Sequence, residues 1–90
     1  MENLIKKSAF SVDVRTPEEF GEEHIVGSTN IPLSTILQQM HQFKNKEQIV
    51  VFCLSGARST QAKSILEQNG FKNVTNGGGL ETVKKMVQQG

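Results

Sequence analysis

A chain of 90 residues and 10.0 kDa has room for one small domain, since its accessible surface scales to roughly 5,200 Å² folded against about 14,500 Å² unfolded. Apolar residues make up 36%, charged residues 21%, and the net charge is +1. This is a globular balance without the basic excess that a nucleic-acid binder carries. The longest apolar run, residues 49–54, is far too short to cross a bilayer. Residues 1–10 scatter Glu2, Lys6 and Lys7 among Leu4 and Ile5, so no signal-peptide core is visible. Neither a nucleic acid nor a membrane is expected as a partner. The single cysteine cannot form an internal disulfide, which points to a reducing, cytoplasmic location and raises the question of its reactivity.

In chain order, residues 10–15 (Phe-Ser-Val-Asp-Val-Arg) alternate as a strand does. Thr16, Pro17 and Glu19 then predict a helix start, with Thr16 as cap, Pro17 at the first position and Glu19 closing a capping box. Glu18 and Glu19 suit the positive end of its dipole. A short strand is expected over residues 28–31, stopped by Pro32. Ser34 is then expected to cap a helix whose apolar side is Ile36, Leu37, Met40 and Phe43.

Residues 48–53, Gln-Ile-Val-Val-Phe-Cys, form a continuous β-branched and aromatic run. Such a strand is buried on both faces and belongs in the middle of a parallel sheet. A helix follows from about Arg58 to Gln68, with Ala62, Ile65 and Leu66 as its buried stripe and Asn69-Gly70 as its stop. Residues 71–76 read as a last short strand and Gly77-Gly78-Gly79 as a tight turn. Leu80, Val83, Met86 and Val87 mark a closing helix. The alternation implies an α/β domain, residues 1–90, with a parallel sheet of about four to five strands and helices on both faces. Residues 1–9 are expected to form a poorly ordered or vestigial leading segment.

In open α/β sheets ligands bind beyond the carboxyl ends of the strands, and Cys53 ends the strand judged most central. The turn after it, Leu54-Ser55-Gly56-Ala57, leads into a helix start, where backbone N–H groups point inward and cradle negative charge. A thiol at the rim of that cradle is biased toward thiolate, the nucleophilic form. Arg58 adds a cation, Ser55 and Ser59 add hydroxyl donors, and Gly56 permits a conformation that side chains resist. The structural alternative is a cysteine that merely ends a core strand as a small hydrophobe.

The stretch Cys53-Leu54-Ser55-Gly56-Ala57-Arg58-Ser59 resembles the active loop of the rhodaneses, the single-domain sulfurtransferases, in which Cys and Arg bracket four residues. Val12-Asp13-Val14-Arg15 with Pro17-Glu18-Glu19-Phe20, the stretch His24–Pro32, and Asn76-Gly77-Gly78-Gly79-Leu80 resemble further signatures of that family in the same order. The likeness spans residues 10–83, with Val83 where the family usually has a Trp. It implies a rhodanese-like domain with about four core strands. It also implies a thiosulfate sulfurtransferase in which Cys53 takes the outer sulfur of an anionic donor such as thiosulfate as a persulfide. The N–H groups of residues 54–58 would hold that sulfur, Arg58 would orient the donor, and cyanide or a thiol would accept it. No metal or organic cofactor is implied.

Asp13 and Arg15 end a strand beside that of Cys53, so they could help shape the pocket; the structural reading is an Arg15 ion pair with Glu19 or its neighbours. His24 and His41 lack further ligands at metal spacing. Two other functions compete. Cys-dependent phosphatases and arsenate reductases also use a thiolate in an anion cradle, but generally with five residues between Cys and Arg; the four here make a smaller ring suited to one sulfur. A persulfide carrier that hands sulfur to a partner protein would use the same residues as the enzyme.

Overall fold

The structure is a computed structural model, and it describes residues 9–89, with side chains through Lys85. Residues 1–8 of the leading segment and the side chains of Met86 and Val87 lie outside the described residues. Four parallel strands form one sheet in the order β2-β1-β3-β4, where β1 is Phe10–Asp13, β2 Thr29–Asn30, β3 Ile49–Cys53 and β4 Val74–Gly79. As the apolar run of residues 48–53 requires, β3 lies inside the sheet, and all five of its residues are buried. Its alternation divides the core. Ile49, Val51 and Cys53 join Ala62 and Leu66 of α2 (Ala57–Gln68). On the other face Phe52 meets Ile25 and two residues of α3 (Leu80–Gln89), Leu80 and Val83. Helices thus cover both faces.

The capping box forms as the sequence predicts. In α1 (Pro17–Glu22) the Thr16 side chain accepts from the Glu19 amide at 3.2 Å, and the Glu19 carboxylate accepts from the Thr16 amide at 3.1 Å.

Two expectations are corrected. The helix expected to be capped by Ser34 is a 3-10 segment, Leu33–Phe43, kinked at Gln39 and begun after Pro32 without a side-chain cap. In 3-10 geometry positions three apart eclipse. Leu33 and Ile36 therefore share the core side, while Leu37 is turned out and 62% exposed.

Gly77-Gly78-Gly79 is strand, not turn. Gly78 pairs with Phe52 and Gly79 with Cys53, after a bulge opposite Val51/Phe52 that absorbs Gly77. Close approach of another backbone is the reason for a strand without side chains here. A Cβ on Gly79 would stand 2.7 Å from the Leu54 carbonyl oxygen.

Candidate active site

Cys53 ends β3, and α2 begins four residues later. Within that interval the chain reverses through Gly56, whose φ of +103° lies in the region open chiefly to glycine. The reversal turns the Gly56 amide back onto the Cys53 sulfur, with N to Sγ 3.0 Å. The Ser55 and Ser59 amides also act on that sulfur, and the Ser59 hydroxyl lies 3.7 Å from it. Beneath them runs the amino end of α2, whose unsatisfied N–H groups favour negative charge.

The loop is seated on the glycine strand. Ser55 bridges to Gly79, and the Leu80 amide donates to the Leu54 carbonyl at 3.2 Å. At the far side Asn76 Oδ1 accepts from Ser59 Oγ at 2.7 Å and from the Gly78 amide at 2.9 Å, while its Nδ2 donates to Thr60 Oγ1 at 3.0 Å. Thr60 Oγ1 in turn donates to the Gly56 carbonyl at 2.8 Å. The ring around the sulfur is held from outside.

The sulfur lies on the floor of this ring, not at its rim. Cys53 is 1% exposed and packs in the core cluster with Val51 and Ala62. Strand alternation sends its side chain toward α2, and the loop closes over it. Burial is the largest influence on the thiol and pushes its pKa up. The Ser59 amide and hydroxyl, with the amides of Gly56 and Ser55, oppose it and leave the thiol below its ordinary value. Hydrogen bonds to the charged form thus outweigh desolvation.

The remaining expected residues separate. Leu54 and Ala57 are exposed, so they contribute backbone and rim. Arg58 points to Glu19, donating from its two terminal nitrogens to Oε1 at 2.7 Å and Oε2 at 3.1 Å. Oε1 is the same oxygen that accepts from Thr16. Together these donors hold the Glu19 carboxyl at about 2, led by the Arg58 hydrogen bond. Asp13 and Arg15 form a buried pair one strand away, with Arg15 Nε 2.9 Å from Oδ1 and the terminal nitrogen 2.7 Å from Oδ2. Arg15 also donates to the Glu23 carbonyl at 2.6 Å. The structural alternative for Arg15 therefore holds with a corrected partner, because Glu19 is taken by Arg58.

Sequence reasoning missed Glu19 and Asn76 as parts of the site. Glu19 was legible as a cap, but its second partner lies 39 residues away in sequence. Among the described residues no group of three or more His, Cys, Asp or Glu is arranged to hold a metal ion, and no helix is long and apolar enough to cross a membrane.

A lone cysteine at the carboxyl end of a central parallel strand, ringed by amides of a tight loop and followed by Arg, defines a class of α/β domain with a thiol in an anion cradle. The rhodanese-like domain family matches residues 1–85, and the chain belongs to that family. It is 36% identical over 74 residues to the Escherichia coli protein named thiosulfate sulfurtransferase PspE, covering 80% of this chain and 71% of that one. A Bacillus subtilis protein named putative sulfur carrier protein YrkF is 35% identical over 65 residues, which covers 72% of this chain but 35% of that longer protein. A solved Escherichia coli structure described as rhodanese with anions superposes with a TM-score of 0.76 at 36% identity, covering 82% of this chain and 89% of that one. The chain is a rhodanese-family sulfurtransferase domain.

Proposed function

We propose that the protein moves a sulfane sulfur from a donor such as thiosulfate to cyanide or a thiol through a persulfide on Cys53. The observation that carries this reading is the set of amides aimed at Sγ, which favours sulfur in its anionic form. In the first half-reaction the Cys53 thiolate attacks the outer sulfur of thiosulfate. The sulfur–sulfur bond of the donor breaks, sulfite leaves with the bonding pair, and Cys53 carries a terminal sulfur with one negative charge. In the second, cyanide attacks that terminal sulfur and leaves as thiocyanate, returning the thiolate. No proton, metal or organic cofactor enters the balance. The ring that favours the thiolate also favours the persulfide anion, so both resting states are stabilised by the same donors.

Because Sγ lies on a floor, a donor must present a slim terminal sulfur to the ring. Thiosulfate does this, and a tetrahedral phosphate centre would need a wider loop than four residues provide. Arg58 stands at the edge, where it can orient the anionic end of the donor. The residues we assign to the site are Cys53 as nucleophile, Arg58 as donor-orienting cation, and the loop Leu54, Ser55, Gly56, Ala57 and Ser59 as persulfide cradle. Asp13 and Arg15 support it from the neighbouring strand. A lone thiol that must return to its reduced state at each cycle fits a reducing compartment, and the cytoplasm is the location this reading carries with it.

A second reading, a persulfide carrier for a partner protein, is favoured by one feature. Leu54, the residue next to the nucleophile, is 55% exposed, and an apolar side chain at the mouth suits a protein acceptor. The similarity to a protein named as a putative sulfur carrier is consistent with it. Thiocyanate formation from thiosulfate and cyanide tests the enzyme reading, with Cys53→Ser as control. Steady turnover that the substitution abolishes supports it. A single charge of sulfur that passes quickly to a protein thiol but slowly to cyanide supports the carrier. Turnover of a phosphomonoester that depends on Cys53 would overturn both.

A further inference from the structure

Arg58 is the cation expected to meet the donor, yet both of its terminal nitrogens are engaged by Glu19. The pair is about one-third exposed, with Arg58 at 34% and Glu19 at 29%, so an anion in solvent can reach it, and Arg58 is close enough to Cys53 to interact with its charge. Glu19, Cys53 and Asp13 act electrostatically on Arg58, against a like-charge repulsion from Arg15, which pairs with Asp13. Donors from Ser59, Gly56 and Ser55 lower the thiol's pKa, and Arg58 and the Cys53 sulfur also attract each other. The guanidinium thus divides its charge between Glu19 and any anion that approaches the sulfur.

We propose that Glu19 is a specificity-determining residue: by occupying Arg58 with its carboxylate it competes with the donor's own negative charge and lowers the site's preference for dianions. The inference rests on the sulfur-transfer reading for its substrate. A dianionic donor such as thiosulfate must share or displace Glu19 to reach Arg58, and it also meets the repulsion of the Glu19 carboxylate. A monoanionic donor of the same chemistry meets about half that repulsion. An organic thiosulfonate is such a donor, with a sulfane sulfur on a sulfonyl group and one charge instead of two.

The capping box makes a clean test possible. Gln serves at the third helical position as Glu does, so Glu19→Gln keeps an acceptor for the Thr16 amide while removing the charge and the second acceptor that faces Arg58. Glu19→Asp keeps the charge on a shorter arm. KM and kcat are measured for thiosulfate and methanethiosulfonate in the wild type and both variants, at low and at high salt. Glu19→Gln is expected to lower KM for thiosulfate roughly two- to fivefold, the scale of a part-exposed ion pair, and to lower KM for the monoanion by less. The preference thus shifts toward the dianion, and high salt shrinks the shift. Glu19→Asp is expected to leave the preference near the wild-type ratio. An unchanged ratio in Glu19→Gln, or a higher KM for both donors, overturns the proposal and makes Glu19 a holder of Arg58 only.

A second arm needs no turnover. Thiosulfate binding is measured by calorimetry to the Cys53→Ser protein and to the Cys53→Ser/Glu19→Gln protein. Tighter binding to the double variant supports the charge competition even if the wild type transfers no sulfur, a result that would count against the proposed function alone. Equal or weaker binding overturns the competition even if sulfur transfer is established.

Discussion

Ser59 and Asn76 meet at 2.7 Å, hydroxyl to carbonyl oxygen, and this contact joins the first turn of α2 to β4 directly behind the thiol. The Gly78 amide donates to the same oxygen, which fixes the orientation of the carboxamide and sends its nitrogen to Thr60. Ser59 is fully buried, so its hydroxyl depends on such partners. Replacing Asn76 by Ala leaves the Ser59 hydroxyl to the Gly56 carbonyl at 3.0 Å and the Gly78 amide to find another partner, at a cost of about 1–2 kcal/mol. Urea unfolding should show the loss as a shifted midpoint with an unchanged slope. Asn76→Asp keeps the acceptor oxygen but places a negative charge near the sulfur. The expected result is a Cys53 thiol whose pKa rises relative to the wild type, read from the pH dependence of thiolate absorbance. No rise would mean that Asn76 is remote from the sulfur's electrostatics.

Gly79 carries the loop on its bare face. An added methyl group would collide with the Leu54 carbonyl, part of the backbone and unable to rotate away. Gly79→Ala is therefore expected to destabilise the domain by about 1–3 kcal/mol and to slow persulfide formation, because the Leu54–Gly56 segment must move off the strand. A variant with wild-type stability and rate would show that the seat is unimportant.

The Glu19 carboxyl titrates at about 2 in the folded protein and at 4.5 when unperturbed. A group with a depressed folded value adds stability that is complete above its unfolded pKa and vanishes as pH falls through its folded one. Glu19 is part-exposed, so after solvent screening its contribution at neutral pH is about 1 kcal/mol. The stability difference between wild type and Glu19→Gln should therefore hold steady from pH 7 to about pH 5 and shrink between about 4.5 and 2. A difference that persists undiminished at the acid end would place its origin outside this carboxylate.

Arg58→Ala frees Glu19 at a surface where an unpaired carboxylate is hydrated, so folding should weaken by less than about 1 kcal/mol. Use of thiosulfate should weaken about tenfold or more, as an increase in KM. Equal losses in stability and donor use would make Arg58 a structural residue.

The architecture was legible because its signals are local. The apolar run of β3 announced a doubly buried strand, Thr16-Pro17-Glu18-Glu19 announced a capped helix, and the Asn69-Gly70 stop closed α2, which ends at Gln68. The kinked 3-10 geometry of Leu33–Phe43 and two further features were not legible. Three glycines in a row read as a turn because nothing in the sequence shows that the loop of residues 54–56 must lie against them. The depth of Cys53 depends on which way strand alternation points it and on how the loop closes, both tertiary matters. The site residues on the loop could be found from their chemistry in series, whereas Glu19 and Asn76 enter through contacts with residues 39 and 17 positions away.

The measurement that bears most directly on the whole account is the intact mass of the protein after incubation with thiosulfate. With one cysteine in the chain, the expected product is heavier by one sulfur atom, returns to its starting mass on addition of cyanide, and does not form in Cys53→Ala. Reduced wild-type protein that gains no sulfur from thiosulfate, or a Cys53→Ala protein that gains the same mass, would contradict a persulfide held in the Cys53 ring.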